Sequence, residues 1–385
     1  MAAVLAAVLA ARLVYVQKTK QNEICYSAES EKSSRLVQSI RHVAATYVAP
    51  WWAPTGVLQT IVAELMSTEP ELAKGFRRET LQLAEMKKRP ESTCCPDVVP
   101  SGVVSLDWLD GDRPATAPII LLVPGLTGSS ESAFIRRAAK HLTAAGFRVA
   151  CYNPRGRGGN ALETPFLYSA GFTEDLRRVV KHVRETNGSA KCFFAAGYSL
   201  GSNYLAKFVG EEGESCLLDG AACLACPVDC LSIAHSLNTT VGGRLMNPIL
   251  VSFVKKMATH HREVLERAPD LFDFVQMEET RTMQHFDHVM TAPSFGFDTA
   301  SDYYRYASSG LVLHRIARPT LFISARNDPI CPGSSIHMDS FETNRNLISV
   351  RTAAGGHSMD WPTSTLESWS AKVLVQYFTA LVQEC

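Results

Sequence analysis

Short apolar runs alternate with amphipathic stretches along most of the chain beyond residue 100. Runs of strand length occur at 118–123, 147–152, 192–196, 217–226, 319–325 and 347–350. Unbroken apolar runs of this length are typical of strands that are buried on both faces of a parallel sheet. Stretches with helical spacing separate the first four runs. This alternation predicts an α/β protein with a mostly parallel, doubly wound central sheet and flanking helices.

The alternation stops between 227 and 318, where roughly 90 residues carry helical patterning only. This is too long for a simple connection, so we expect a helical cap inserted over one edge of the sheet. Its many apolar and aromatic side chains, such as Phe253 and Phe272, suit the lining of an acyl pocket. For any single one of them, packing within the cap is the simpler interpretation.

The first hundred residues follow a different pattern. Within 21–100 we expect a helical extension, with a short helix over 57–66, and a connector, because three prolines fall within 87–100. The stretch 103–108 alternates apolar and polar residues, as a half-buried strand does. The sheet-forming domain is therefore expected over 101–385.

The motif Gly197-Tyr198-Ser199-Leu200-Gly201 lies between one of the apolar runs and a helical pattern. A serine on a sharp strand-to-helix turn is held in a strained conformation and points out of the sheet, and only small residues two places before and after it leave room for the turn. The glycines at 197 and 201 meet this need. Ser199 is therefore a candidate nucleophile, although the same letters also occur in ordinary surface turns.

A glycine-rich loop, Pro124-Gly125-Leu126-Thr127-Gly128, follows the run at 118–123. In serine hydrolases built on such a sheet, this loop supplies one backbone N–H of the oxyanion hole, and the residue after the nucleophile supplies the other. Leu126 and Leu200 are the candidates for these two donors. A phosphate-binding interpretation of the loop is disfavoured, because it lacks the lysine of a P-loop and the glycine spacing of a dinucleotide site.

An acid and a base follow in the order that this turn requires. Asp328 comes just after the run at 319–325, and His357 follows 347–350 behind a Gly-Gly pair. Since parallel strands end at the same edge of a sheet, Ser199, Asp328 and His357 are expected to meet there. His357 would act as the base and Asp328 would orient it. An isolated Asp-Pro or Gly-His is usually only a turn or a loop, so the interpretation depends on all three occurring together.

Composition excludes several classes of function. The chain has 38 basic and 38 acidic residues, so no basic field favours nucleic acid. Its 11 cysteines are scattered, which indicates reduced thiols. A C-x-x-C at Cys223 and Cys226 ends an apolar run, so buried thiols are expected there rather than a redox or metal site. No spacing indicates a metal, and no cofactor is expected.

Within the segment 1–20, residues 1–16 are almost wholly apolar apart from Arg12, and Lys18 and Lys20 follow them. Its apolar part is shorter than the roughly 20 residues that span a bilayer. A signal anchor with a cytosolic body, a cleaved targeting peptide and an amphipathic interfacial helix all remain possible. We expect membrane association through this segment, with the body in the cytosol.

Five motifs together resemble the AB hydrolase 4 branch of the α/β-hydrolase superfamily, which includes ABHD1/ABHD3-type, EMB8-like and YheT-like proteins. They are the loop at 124–128, Asn153-Pro154-Arg155-Gly156, the serine motif extended to Asn203, Asn327-Asp328-Pro329 and Gly355-Gly356-His357. The resemblance covers about residue 95 to the C-terminus. It implies a serine carboxylester hydrolase of acylglycerols or phospholipids, often membrane-anchored, with Ser199 as nucleophile, Asp328 as acid and His357 as base. Proline at 124, where many such hydrolases have histidine, and Ser202 depart from the usual pattern but remove no backbone donor.

The sequence therefore predicts a serine hydrolase that cleaves carboxylic esters of acyl lipids through an acyl-enzyme intermediate. Two alternatives remain open. The same triad can hydrolyse thioesters or transfer the acyl group to an acceptor other than water. A catalytically idle scaffold that binds lipid or protein through the cap is the other alternative.

Overall fold

The computed structural model describes residues 22–65, 75–90 and 92–385, and its centre is a nine-stranded sheet. The strands of the chain are β1 (Glu23–Tyr26), β2 (Arg77–Leu83), β3 (Met86–Lys87), β4 (Val98–Val99), β5 (Gly102–Leu109), β6 (Ile119–Val123), β7 (Arg148–Asn153), β8 (Phe193–Tyr198), β9 (Gly220–Leu224), β10 (Thr320–Ala325) and β11 (Leu347–Thr352). The order in the large sheet is β1-β11-β10-β9-β8-β6-β7-β5-β2, and β3 pairs with β4 separately.

Strands β6 to β11 run parallel to one another, whereas β1, β2 and β5 pair antiparallel at the two sides of the sheet. Each parallel strand lies within, or within two residues of, one of the apolar runs in the sequence. Strands β6, β8, β9 and β10 are buried along their whole length, because helices cover both faces of the sheet. The predicted mostly parallel sheet is therefore present.

Helices flank the sheet and fill the long insertion. They are α1 (Glu31–Ala45), α2 (Gly56–Leu65), α3 (Ala133–Ala144), α4 (Glu174–Thr186), α5 (Leu200–Glu212), α6 (Cys230–Thr239), α7 (Val241–His260), α8 (Arg262–Leu265), α9 (Phe274–Glu279), α10 (Met283–Phe286), α11 (Ala292–Ser294), α12 (Ala300–Ala307), α13 (Asp339–Thr343) and α14 (Trp369–Glu384). Apolar side chains of α1, α3 and α14 pack on one face of the sheet, and those of α4 and α5 pack on the other.

The insertion between β9 and β10 consists of α6 to α12, a π-helical turn at Asp287–Thr291 and a 3₁₀ helix at Ser309–Arg315. All of these elements are helical, as the patterning between 227 and 318 predicts. The buried Asn203 on α5 ties the insertion to the sheet domain. Its Nδ2 donates to the carbonyls of Ala170 and Ala307, both over 2.8 Å.

The sheet extends further toward the N-terminus than the sequence pattern predicts. Both β1 and β2 come from the stretch interpreted as a helical extension, and each forms an edge of the sheet. The sequence Arg77–Leu83 hides this role, because four of its seven side chains are exposed and the stretch lacks an apolar face. Strand β5, expected to be half-buried, is mostly buried, because it lies between β2 and β7.

Within the described residues, no helix combines the length and the apolar character needed to cross a membrane. The segment 1–20, on which the predicted membrane association depends, lies outside the described residues.

Candidate active site

Ser199 lies at the turn between β8 and α5 with φ 50° and ψ −122°, a backbone conformation that residues other than glycine rarely adopt. The turn is so tight that a Cβ at Gly197 would lie 2.6 Å from the Cα of Ser202. A Cβ at Gly201 would lie 2.1 Å from the Pro124 carbonyl oxygen. A side chain at either position would clash with the backbone, so both glycines of the motif are required, as the sequence predicts.

The structure brings Ser199, His357 and Asp328 together at the carboxyl edge of the sheet. Ser199 Oγ lies 2.8 Å from His357 Nε2, and His357 Nδ1 lies 2.7 Å from Asp328 Oδ2. The Asp328 side chain is 1% exposed and that of His357 is 10% exposed, so water competes little for these hydrogen bonds. This geometry allows the imidazole to take a proton from the serine hydroxyl while the carboxylate fixes its tautomer.

The other oxygen of Asp328 is held by the backbone of its own loop. Oδ1 accepts from the N–H groups of Ile330 over 2.7 Å and Cys331 over 2.8 Å. Two backbone donors hold the carboxylate in a fixed orientation. Asp328 is therefore directed at the imidazole by fixed contacts.

The loop that carries His357 is anchored by α2, a helix almost 300 residues earlier in the chain. The His357 N–H donates to Thr60 Oγ1 over 2.9 Å, and the Gly355 N–H donates to Gln59 Oε1 over 2.8 Å. The Gly356 N–H donates to Asn327 Oδ1 over 3.0 Å, so the histidine and aspartate loops are also joined directly. Since these donors are main-chain groups, the contacts fix the position of the whole histidine loop.

Leu126 and Leu200 both line the cavity that Ser199 lines. Leu200 is the first residue of α5, so its N–H has no acceptor within the helix. The loop of Leu126 comes close to the serine, because a Cβ at Gly125 would lie 3.1 Å from Ser199 Cβ. That these two N–H groups form an oxyanion hole stays a prediction.

Two cavities meet at Ser199 and His357, and Leu126 also lines both of them. The first, which we call the cap cavity, holds about 930 Å³ and is lined mainly by apolar side chains of the insertion, including Ile233, Leu237 and Phe286. The second, the groove, holds about 1010 Å³ and runs between α2 and α7, past Ile61 and Phe253. Apolar lining on both sides of a nucleophile suits an ester with a long acyl chain.

One carboxylate lies inside the cap cavity. Asp287 accepts hydrogen bonds from Tyr304 Oη and Thr291 Oγ1, both over 2.6 Å. Burial raises the pKa of Asp287 to about 6, although the two hydroxyls oppose this shift. The sequence offers no local signal for this residue, because a single aspartate in a helical segment is usually exposed.

Asp328, Cys331 and His357 form a close group of possible metal ligands, but their chemistry disfavours a metal ion. Donor atoms of Asp328, Cys331 and His357 lie within 4.8 Å of one another, but the carboxylate and the imidazole are hydrogen-bonded to each other. Burial raises the pKa of the Cys331 thiol well above its usual range, which disfavours the thiolate that a metal needs. Cys223 and Cys226 are buried free thiols, as expected for that C-x-x-C.

A family model described as Hydrolase_4, serine aminopeptidase, S33, matches residues 114–346, which is more than half of the chain. The chain belongs to the Hydrolase_4 family. This match and the sheet described above confirm the α/β-hydrolase fold and the family resemblance predicted from the sequence. The match spans Ser199 and Asp328 and ends before His357.

Relatives of this Hydrolase_4 protein include a monoacylglycerol lipase and a phospholipase. It is 32% identical to the embryogenesis-associated protein EMB8 of Picea glauca, over 78% of this chain and 64% of that protein. It is 30% identical to a monoacylglycerol lipase of Saccharomyces cerevisiae, over 68% and 58% respectively. It is 29% identical to phospholipase ABHD3 of Mus musculus, over 89% and 80%. The chain thus spans about three fifths of the length of the first two relatives.

Sequence reasoning misses Gln59 and Thr60. Both lie in a stretch that predicts a short packing helix, and neither belongs to a motif. Their hydrogen bonds with Gly355 and His357 depend on a fold that brings the two ends of the chain together. Only the apolar residues around them indicate that this helix packs against another part of the protein.

Proposed function

We propose that this protein is a carboxylic ester hydrolase that uses Ser199, His357 and Asp328 as a catalytic triad. The observation that carries the proposal is the continuous relay from Ser199 Oγ through His357 to Asp328 Oδ2, with distances of 2.8 and 2.7 Å. Distances in this range are those of a nucleophile, a base and an orienting acid that act together.

In the proposed mechanism, Ser199 attacks the ester carbonyl while His357 Nε2 accepts the hydroxyl proton. The oxyanion that forms accepts hydrogen bonds from the N–H groups of Leu126 and Leu200. The intermediate collapses, His357 protonates the departing alcohol, and the acyl group remains on Ser199. A water molecule, activated by the same imidazole, then releases the acid. Asp328 accepts the hydrogen bond from His357 Nδ1 and stabilises the imidazolium in both steps.

The proposed substrates are acyl lipids. The apolar cap cavity supports this choice, because it offers an acyl chain a lining of aliphatic and aromatic side chains beside the nucleophile. The groove on the other side of Ser199 has room for the alcohol part of the ester. The names of two relatives, a monoacylglycerol lipase and a phospholipase, agree with this substrate class.

A labelled fluorophosphonate tests the proposal directly. The wild-type protein should incorporate one label, and a Ser199→Ala variant of equal thermal stability should incorporate none. The same pair should differ by about 10⁴-fold or more in the turnover of a monoacylglycerol. Equal labelling of both proteins would show that Ser199 is not the nucleophile. Labelled protein that turns over no ester would indicate the idle scaffold instead.

Acyl transfer and thioester hydrolysis remain alternatives within the same chemistry. Turnover of matched ester and thioester substrates, with and without an added alcohol, separates them. Release of free acid that an added alcohol does not divert supports hydrolysis. Formation of a new ester supports transfer.

We also propose that the protein works at a membrane surface with its body on the cytosolic side. The apolar segment 1–20 supports this proposal, and so does an exposed stripe on α7. The stripe consists of Val241, Leu245, Ile249 and Phe253, which are 79%, 56%, 39% and 42% exposed. The same helix carries three basic residues and no acidic one, which suits an anionic lipid surface. Because Ile249 and Phe253 also line the groove, lipid at the stripe would have a short path to Ser199.

A further inference from the structure

A third cavity, of about 1150 Å³, opens beside the loop that follows β6. Its polar lining consists of Thr127 from that loop, Arg157 from the loop after β7, and Lys256, Thr259 and His260 from the end of α7. No carboxylate is among the described side chains that line it. We call it the basic cavity.

The guanidinium of Arg157 has an unused buried donor. Its Nε is buried and finds no hydrogen-bond acceptor in the described part of the chain. Arg155, two residues earlier in the same loop, shows the usual arrangement, with bonds of 2.6 and 3.0 Å to the two oxygens of Asp175. A buried donor needs an acceptor, and either an anion or a water molecule can supply one at Arg157.

The basic cavity adjoins the candidate active site on two sides. Phe253 lines both the basic cavity and the groove, and Met257 lines both the basic cavity and the cap cavity. Thr127 directly follows Leu126, and its N–H donates to Tyr168 Oη over 2.9 Å. A ligand in the basic cavity would therefore lie next to the loop that is proposed to hold the oxyanion.

The positive charge of Arg157 acts on Tyr168, whose hydroxyl contacts this loop. Burial raises the pKa of Tyr168 to about 12, and the positive charge of Arg157 acts in the opposite direction. Two carboxylates, Glu131 and Glu263, line a separate cavity beyond Arg157 and His260. Arg157 and His260 line both cavities, but only the basic cavity has no carboxylate in its described lining, so it is the better place for an anion.

The arrangement of donors favours phosphate. A guanidinium offers a planar fork that fits two phosphate oxygens, and a lysine adds a point charge that needs no fixed direction. Arg157 with Lys256 combines the two, and the hydroxyls of Thr127 and Thr259 can satisfy further oxygens.

We propose that Arg157 and Lys256 form a phosphate-binding subsite, so that the ester cleaved at Ser199 includes acyl lipids whose alcohol carries a phosphate group. This inference rests on the proposed ester hydrolase function and narrows its substrate class. The phosphate binds in the basic cavity while the acyl chain lies in the cap cavity. Neutral acylglycerols leave the basic cavity unused.

The test compares two esters with the same acyl chain in the same non-ionic micelles. One is decanoyl-lysophosphatidic acid and the other is monodecanoylglycerol. Arg157→Gln and Lys256→Gln should each lower kcat/KM for decanoyl-lysophosphatidic acid by about tenfold. For monodecanoylglycerol, kcat/KM should stay within about twofold of wild type. Arg157→Lys should recover part of the loss. Lys255→Gln is the matched control, because Lys255 Nζ donates to the Glu278 carbonyl and does not line the basic cavity.

Calorimetry with inorganic phosphate forms the second arm and separates a lipid head group from free phosphate. Loss of selectivity in the variants without measurable phosphate binding supports a head-group subsite. Phosphate binding that the variants abolish, without any change in ester selectivity, retains the anion site but overturns its role in substrate choice. Equal effects on both esters, or none, overturn the proposal. Lys256 is exposed, so its variant stays informative even if Arg157→Gln fails to fold.

Failure of the hydrolase proposal would look different. In that case the wild-type protein would cleave neither ester, whereas calorimetry on the same protein would still report whether phosphate binds.

Discussion

The backbone N–H of His357 donates to the side chain of Thr60, a residue 297 positions away in the chain, over 2.9 Å. Thr60 in turn donates to the Gly56 carbonyl over 2.8 Å, so the hydroxyl is directed by its own helix. The contact is close enough that a Cβ at Gly356 would lie 2.4 Å from the Gly56 oxygen. The position of the proposed base therefore depends on α2 as much as on its own loop.

Replacing Thr60 by valine should impair catalysis more than substrate binding. The substitution keeps the shape of the side chain and removes the acceptor for the His357 N–H. A hydrogen bond of this kind contributes about 1 kcal/mol, so we expect kcat to fall about five- to tenfold with KM little changed. Thr60→Ser, which keeps the hydroxyl, should restore most of the activity. An equal loss in both variants would show that the methyl contact, not the hydrogen bond, matters.

Asp328→Asn should leave the loop intact but disable the base. The remaining oxygen can still accept from the N–H groups of Ile330 and Cys331. The amide nitrogen would face His357 Nδ1 and favour the tautomer whose Nε2 carries a proton. We expect kcat to fall on the order of 10⁴-fold and fluorophosphonate labelling to slow in parallel. Unchanged labelling, at unchanged thermal stability, would contradict the assigned role.

Asp287 should make the stability of the protein depend on pH. Burial raises its pKa from 3.8 to about 6, so between these values the folded state holds a proton that the unfolded state has lost. The free energy of unfolding therefore falls as pH rises through this window, by ~3 kcal/mol in total, and stays low above it. Asp287→Asn should lack this loss and be more stable than wild type at pH 7.5 but not at pH 4. Denaturant titrations at several pH values give the comparison.

Asp298 offers the control for this experiment, because it is exposed and its change to asparagine should leave the pH profile of wild type unaltered. If the free energy of unfolding of Asp287→Asn changes with pH as that of wild type does, ionisation of the buried carboxylate does not destabilise the protein as predicted.

The stripe on α7 should contribute to binding of lipid vesicles. A Val241→Ser, Leu245→Ser double variant removes two exposed apolar side chains that do not line the groove or the cap cavity. We expect the partition coefficient on anionic vesicles to fall about tenfold or more, with hydrolysis of a short soluble ester unchanged.

Val275→Ser is the control for the stripe. Val275 is 78% exposed, close to the 79% of Val241, but lies on α9 near the acidic Asp273, Glu278 and Glu279. It should not affect vesicle binding. Equal losses in the two proteins would mean that exposure of any apolar side chain suffices and that the stripe has no special role.

The sequence predicts the fold and the site well wherever the signal is local. Ser199, Asp328 and His357 each follow a strand whose apolar run is visible in the sequence, and parallel strands end at one edge, so their meeting can be inferred. The triad geometry agrees with that inference, while the catalytic roles themselves stay predictions that await the experiments above.

Features that depend on tertiary contacts leave no local signal in the sequence. Strand β2 is polar on its exposed side and is recognisable only from its pairing with β5. Burial of Asp287 follows from how the cap helices close over it, and the role of Thr60 follows from the approach of two distant segments. In each case the residue type fits several environments, and the packing of the whole domain selects one.

The attachment of the histidine loop to α2 has a consequence for biosynthesis. The nucleophile and its strained turn are translated well before residue 357, and the helix near residue 60 earlier still. A nascent or prematurely terminated chain would carry the serine without the group that activates it. Hydrolytic competence would then arise only after the histidine loop has been synthesised and has docked onto α2.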